Sequence, residues 1–308
     1  MTESAAHGPR WPSKPEYAEA VQDPATAFAD PGLARGVLDL NRLGMPRTSS
    51  GRNAVVFRLL GDRGPCAVRC MTREPVAGAR RYDSLSRYVE TRPCAALTPA
   101  TWLERGILVG GAWWPVVLMP WVPGDTLDLA LARHLDEPRA LRHLAANWRV
   151  VLRQLAQAGL GHGDLQHGNV LVDDELRLQL VDLDGVWVPD GQEWPRADAG
   201  HPDYRHPREA ADLQGVRLDA FPASVIFLSA LAVAADPGLW QLHTQENLIF
   251  RETDFAHPGR TPLWERLGAS PDPRVATMSR RLSADCARAP GQSGDPEQLV
   301  TEAGPSPT

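Results

Sequence analysis

Two short runs dominate the chain: His162-Gly163-Asp164-Leu165-Gln166-His167-Gly168-Asn169-Val170-Leu171-Val172, and Leu180-Val181-Asp182-Leu183-Asp184-Gly185. Asp164, Asn169 and Asp182 place three oxygen-bearing side chains within nineteen residues. Apolar runs, Val170 to Val172 and Leu178 to Val181, flank the polar turn Asp173-Asp174-Glu175, which reads as a short β-hairpin. Such a hairpin returns Asp182 close to Asn169, the residue that opens it. An acidic and an amide side chain so placed can share a hard cation such as Mg²⁺, which takes oxygen ligands and leaves positions for phosphates. Asp164, on the loop just before, is placed to receive a proton from a hydroxyl nucleophile. The plainer reading of the same pattern is a hairpin with solvated acidic turn residues.

The stretch resembles the catalytic loop and metal-binding motif of the protein-kinase-like superfamily, in a divergent form similar to bacterial serine/threonine protein kinases. That pattern is His-x-Asp, four intervening residues, Asn, and a second Asp about thirteen residues on. Here Asp164 to Asn169 is five positions and Asn169 to Asp182 is thirteen. Asp182-Leu183-Asp184 stands where protein kinases have Asp-Phe-Gly, and Gly163 in place of Arg is shared with aminoglycoside- and choline-kinase-like members.

A chain of 308 residues is long enough for one two-lobed domain or two small ones. The net charge of −6 argues against binding driven by nucleic-acid phosphates, so no nucleic-acid partner is expected. Cys66, Cys70, Cys94 and Cys286 form no C-x-x-C pair or disulfide framework, which fits a reducing cytoplasm. The first ten residues are polar and unlike a signal peptide. The longest apolar run, Ala223 to Ala235, is too short to span a bilayer and reads as a buried helix, so no membrane partner is expected either. The chain has 31 arginines and a single lysine, Lys14. Any role that kinases give to lysine therefore falls to another residue.

Residues 1 to about 16 read as a disordered tail. Tyr17 to Leu43 carries short helical patterns at Tyr17 to Val21 and Leu33 to Leu40, consistent with an extension packed on the first lobe or with a loose linker. Ser49 to Leu60 is a turn and an apolar strand. It resembles the glycine-rich loop over ATP phosphates, with Gly51 at the middle glycine and Ser49 and Ala54 at the other two. Cys66 to Met71 resembles the kinase strand ending Ala-x-Lys, which places Ala67 and Arg69 at the nucleotide, Arg69 standing for the lysine. Arg keeps the charge but offers a planar fork instead of a compact ammonium; a surface strand charge is the alternative. Glu74 to Glu90 reads as a helix in which Asp83 and Glu90 are better read as surface charge than as the lysine's usual partner. Gly106 to Gly110 and Trp113 to Val122 read as strands. The second resembles the hinge strand, with the Pro120 carbonyl and the Val122 N–H facing adenine.

Asp125 reads as the N-cap of a helix to His134, and Glu137 to Ala158 as a long helix with Leu141, Leu144, Trp148, Val151, Leu152 and Leu155 on one stripe. His162 reads as a structural residue beneath the loop, and His167 as a solvated loop histidine or a substrate contact. Gly200 to Arg208 resembles the end of a protein-kinase activation segment: Gly200, Tyr204 and Pro207 match, and Arg208 replaces the closing Glu. His201 and His206 read as a loop pair, with no third ligand to make a metal site. Asp219 leads the apolar helix and either caps it or, as in the family, holds the catalytic-loop backbone. Trp240, Leu242, Leu248, Ile249, Phe250, Trp264, Leu267 and Leu282 are core candidates.

The resemblance implies an α+β, two-lobed protein-kinase-like fold: a small antiparallel β lobe with one helix, and a mainly helical large lobe. The expected organisation is 1–20 N-terminal tail, 21–121 small lobe with its extension, 122–288 large lobe, and 289–308 disordered tail. The resemblance implies ATP and Mg²⁺ as cofactors. Asp164, Asn169 and Asp182 are the implied catalytic residues, and Asn169 and Asp182 the metal ligands. Arg69, Gly51, Ala67, Pro120, Val122 and Leu171 are the implied nucleotide contacts. Three functions fit: transfer of the γ-phosphoryl group to Ser or Thr of a protein substrate; transfer to a small molecule, which Gly163 and the missing lysine after Asp164 favour; and a nucleotide-binding pseudokinase scaffold, which Arg69 and Arg208 favour.

Overall fold

The computed structural model describes residues 10–62, 64–189, 200–208 and 213–290. The chain is α+β with an antiparallel main sheet. It divides into two compact units: one runs to Arg87 and resumes over Pro99–Trp121, and the other takes Tyr88–Thr98 and the chain from Val122 onward.

The first unit is built on a sheet of β1 (Val37–Leu38), β2 (Thr48–Ser50), β3 (Ala54–Gly61), β4 (Gly64–Met71), β5 (Thr101–Val109) and β6 (Ala112–Pro120), in the order β1-β3-β4-β6-β5 with β2 also on β3. Strand alternation sends Val55, Phe57, Leu59, Val68, Cys70 and Val116 into one buried cluster. Three short helices bring the N-terminal segment into that cluster: α1 (Lys14–Ala20), α2 (Pro24–Ala27) and α3 (Pro31–Ala34). The extension thus packs as a layer, and the loose-linker alternative falls.

The expected disordered tail is corrected over residues 10–16, which are ordered, while residues 1–9 lie outside the described residues. Glu16 closes a capping box on Ser13, the Tyr17 hydroxyl donates to the Met71 carbonyl at 2.8 Å, and Trp11 meets Trp114 at 5.1 Å. The helical pattern read over Leu33 to Leu40 is cut short after Ala34, and Val37 and Leu38 pair with Leu60 and Leu59 instead. β5 starts at Thr101, earlier than its apolar run at Gly106, because a register shift between Leu103 and Ile107 interrupts the alternation.

The helix expected from Glu74 is α4 (Gly78–Thr91), delayed by the left-handed Ala77 at φ 55°. Its buried residues are Gly78, Arg81, Tyr82, Ser84 and Leu85, while Asp83 and Glu90 are exposed as expected.

The second unit comprises α5 (Leu127–Arg133), α6 (Pro138–Ala158), α7 (Ala220–Ala235), α8 (Glu252–Ala256), α9 (Pro262–Gly268) and α10 (Pro273–Cys286), with α5 and α6 packed on a small sheet of β7 (Asp125–Thr126), β8 (Val170–Val172) and β9 (Leu178–Leu180). The α6 stripe is buried as read, and the Trp148 indole N–H donates to the Ala223 carbonyl at 3.0 Å. Asp125 is not the cap of α5: it is a strand residue opposite Val172, paired with Arg133, and Thr126 takes the cap position. Residues 88–98, expected in the small lobe, belong here. Thr98 N–H donates to the Leu180 carbonyl at 3.0 Å and Leu180 N–H to the Ala96 carbonyl at 2.7 Å. Of the core candidates after α7, Trp240 and Leu242 are half-buried and the others buried. Gly215–Ala235 is the one helix among the described residues long and apolar enough to cross a membrane. Of that window 83% is buried, which makes it the central helix of this unit. The expected C-terminal tail falls, from residue 291 on, outside the described residues.

Candidate functional site

The hairpin read from the sequence is present. Val170 pairs with Leu180, Leu171 with Gln179 and Val172 with Leu178, and Val181 N–H donates to the Asn169 carbonyl at 3.0 Å. That last bond puts Asp182 beside the residue that opens the hairpin. Val170 and Val172 are buried, while Leu171, between them on the strand, points the other way and is half-buried.

Asp164 and Asn169 touch. The Asn169 amide nitrogen donates to the Asp164 backbone carbonyl at 2.8 Å and to its carboxylate at 3.1 Å. Both partners are pure acceptors, so the orientation of the amide is fixed by chemistry: the nitrogen is committed to Asp164, and the oxygen is the atom left for a ligand. Gln166 adds a second amide donor to the same carboxylate at 3.1 Å. The sequence reading gave Gln166 no role; an amide two residues after a loop Asp is the only signal it leaves.

The backbone around this pair is crowded. Gly163 has φ 78°, and a Cβ there would lie 2.4 Å from the Gly185 carbonyl oxygen. A Cβ on Gly185 would in turn meet the His162 carbonyl at 3.0 Å. Gly161 and Trp187 exchange both backbone bonds, at 2.8 and 3.3 Å. The two motifs are therefore laid backbone against backbone, and the glycine at 163 is a local necessity of this turn. Asp182 is itself left-handed, at φ 62° and ψ 72°. Ala77 and Leu176 are the other described non-glycine residues with a positive φ.

Beneath the loop, the Asp219 carboxylate, 1% exposed, accepts the backbone N–H of His162 at 2.6 Å and that of Gly163 at 2.8 Å. Holding the loop is thus its observed role; its side chain does not cap α7. His162 is fully buried and its Nε2–H donates to the Val181 carbonyl at 3.0 Å, the structural part expected of it.

His167 is corrected: it is neither solvated nor turned to a substrate. It is 5% exposed, and its Nδ1 lies 2.6 Å from the hydroxyl of the buried Tyr204. Burial pushes the His167 pKa down and the Tyr204 pKa up, so both groups are neutral and the hydroxyl donates to Nδ1. Tyr204 belongs to a 3₁₀ turn, Pro202–Tyr204, that follows Gly200 at φ 78°. A Cβ on Gly200 would come within 3.9 Å of the Asp164 Oδ1, so this segment passes directly by the Asp164 carboxylate. His201 pairs with Glu246 at 2.8 Å, and His206 reaches the Asp285 carbonyl at 3.1 Å. The two histidines thus point to different partners. No group of three or more His, Cys, Asp or Glu among the described residues is arranged to hold a metal ion.

In the first unit, Arg69 is 6% exposed, which overturns the surface-charge alternative. Ala67, two positions earlier on β4, shares its face; Arg69 lies opposite Val56 and Val117, and Ala67 opposite Arg58 and Met119. Pro120 ends β6 opposite Cys66 and is exposed, and Val122 follows it, half-buried, at the start of the second unit's main run. Gly51 lies in the exposed β2–β3 turn with open space around it. The chain's single lysine sits on this turn: Lys14 donates to the Gly51 carbonyl at 2.7 Å.

Asp164, Asn169, Gln166 and Gly200 thus meet within the second unit, and the Val181–Asn169 backbone bond brings Asp182 alongside them. The side-chain oxygens there are amides and carboxylates, a donor set suited to a hard divalent cation that keeps several other ligands. Among known proteins, no family model matches the chain and no curated protein matches it.

Proposed function

We propose that the chain is an ATP- and Mg²⁺-dependent phosphotransferase that transfers the γ-phosphoryl group to Ser or Thr of a protein. The observation that carries this reading is the Asp164–Asn169 contact, with Asp182 delivered next to it by the hairpin. An amide locked to the backbone of a loop Asp, with its oxygen left over, supplies one neutral ligand; Asp182 supplies a charged one. Asn169 and Asp182 would hold Mg²⁺, which would supply positive charge to offset that of the phosphates. Asp164, steadied by two amide donors, orients the acceptor hydroxyl and takes its proton. Arg69, Gly51, Ala67, Pro120, Val122 and Leu171 are the residues this reading gives to ATP, with Arg69 supplying the positive charge.

Two features bear on the acceptor. Gly163 does not argue for a small molecule, since the close Gly185 carbonyl requires glycine whatever the substrate. The Gly200–Pro207 segment beside Asp164 supports a polypeptide acceptor. The four cysteines are all free, which suits the reducing cytoplasm proposed for it.

Intact mass and transfer to a protein substrate mixture, measured after incubation with Mg-ATP, test this reading. The wild-type chain should transfer phosphate, whereas Asp164→Asn and Asp182→Ala should lose transfer by a factor of about 10³ or more. Full transfer by Asp182→Ala overturns the assignment. A second reading, nucleotide binding without transfer, is favoured by α4, whose buried face carries Arg81 and no carboxylate. Tight Mg-ATP binding by a wild-type chain inert toward every acceptor decides for it.

A further inference from the structure

We propose that the segment Gly200–Pro207 is set against Asp164 by the buried His167–Tyr204 hydrogen bond, so that the acceptor side of the site is assembled without phosphorylation. The inference rests on the phosphotransferase reading for its meaning, but its structural content can be tested separately.

Phosphorylation orders a segment by giving it a charge that arginines can pair with. That route needs a hydroxyl in the segment. From Leu183 to Asp203 the sequence contains no Ser, Thr or Tyr. Tyr204 is the first hydroxyl after Asp182, and it is 3% exposed with its oxygen 2.6 Å from His167 Nδ1. A kinase could reach it only by unfolding the turn that carries it.

The contacts that would otherwise depend on a phosphate are already made by neutral or fixed groups. His167 lies between Asp164 and Asn169, so its bond to Tyr204 ties the segment to the loop that carries both site residues. Asp203 accepts the Glu252 backbone N–H at 2.7 Å. His201 pairs with Glu246 at 2.8 Å, and His206 is fixed to the Asp285 carbonyl at 3.1 Å and to the ring of Phe221 at 5.0 Å. Arg208, which replaces the family's Glu, gives its backbone N–H to His206 Nδ1 at 3.1 Å. Among these, only the His167–Tyr204 bond reaches the Asp164–Asn169 loop. His167 is therefore a positioning residue, acting through Tyr204 on Gly200 and His201.

The test is amide hydrogen exchange over residues 200–208 of the full chain, before and after phosphatase treatment, with phosphotransfer measured in parallel. Tyr204→Phe removes one oxygen and keeps the ring. His167→Leu removes the acceptor, whereas His167→Asn places an amide oxygen where Nδ1 stood. Tyr204→Phe and His167→Leu should each speed exchange of the segment about tenfold, as expected for one net buried hydrogen bond. Combining them should add little, and His167→Asn should stay near wild type. Phosphatase should change nothing, and in an active enzyme the two disruptive variants should lower kcat with the KM for ATP unchanged. Unchanged exchange in both Tyr204→Phe and His167→Leu, or release of the segment by phosphatase, overturns the proposal. A wild-type chain with a protected segment and no transfer to any acceptor instead defeats the phosphotransferase reading and leaves the strut in place.

Discussion

The Asp219 carboxylate accepts the Gly163 backbone N–H at 2.8 Å from 56 residues away, and the preceding His162 N–H at 2.6 Å. Two adjacent backbone donors at the start of a loop are thus satisfied by one buried anion, and charge-assisted bonds of this kind are the stronger ones. Asp219→Ala leaves both donors buried and unpaired. It should cost about 3 kcal/mol of stability, read from the urea midpoint. Asp219→Asn should recover part of that, because one amide oxygen can still accept. Equal losses in the two variants would show that the carboxylate is not what holds the loop.

An arginine at position 163, the residue protein kinases carry in the pattern this loop resembles, should not be accommodated. Gly163→Arg meets a left-handed backbone and a Gly185 oxygen 2.4 Å from its Cβ, and Gly163→Ala meets the same two obstacles. Each should lose at least about 2 kcal/mol. If Gly163→Ala matched wild type in chemical denaturation, the close contact between the two motifs would be wrong.

What the sequence disclosed and what it concealed divide along a physical line. The α6 stripe and the hairpin at 170–180 were legible because a local period, 3.6 or 2, fixes them. The ordered segment at 10–16 was not, because its composition is polar and its order comes from a capping box and from Trp11 reaching a distant partner. β5 hid its first half behind a register shift, and Asp125 looked like a cap because a lone Asp before an apolar run has the same signature whether it caps a helix or pairs in a strand. At the site, the spacing of Asp164, Asn169 and Asp182 was readable. The His167–Tyr204 bond was not, since nothing in a linear string couples residues 37 positions apart.

The thiols report on integrity. Burial raises the pKa of Cys66, Cys70 and Cys94, and pushes Cys286 up to about 12. Since the thiolate is the nucleophile, the native chain should react slowly with iodoacetamide at pH 8 and rapidly once unfolded. For Cys286 the folded pKa lies above the ordinary 9.0, so its contribution to stability is complete below pH 9 and declines as the pH rises toward 12. The decline should reach about 1.4 kcal/mol per pH unit, and Cys286→Ala should flatten that limb of the stability curve. Fast native labelling of Cys70 at pH 8 would contradict its burial.

Tyr17 anchors the N-terminal layer through one hydroxyl. Tyr17→Phe keeps the packing and strands the Met71 carbonyl, which the hydroxyl meets at 2.8 Å. A loss of about 1 to 2 kcal/mol is expected, together with faster exchange in α1. No change in either would mean that the extension is held by its apolar contacts alone.

Asp182 separates backbone strain from chemistry. In the function proposed above its carboxylate holds the metal, while its φ of 62° lies where an L side chain is disfavoured. Asp182→Ala and Asp182→Gly both lack the carboxylate, so both should be inactive in phosphotransfer. They differ in the cost of a Cβ at a left-handed position and in the backbone entropy lost on folding. Asp182→Gly should therefore be the more stable of the two by about 1 kcal/mol, even though glycine loses more backbone entropy on folding. Measured by urea denaturation, an order reversed in favour of alanine would mean that the backbone at 182 is not left-handed in solution. The turn that sets Asp182 beside Asn169 would then have to be redrawn.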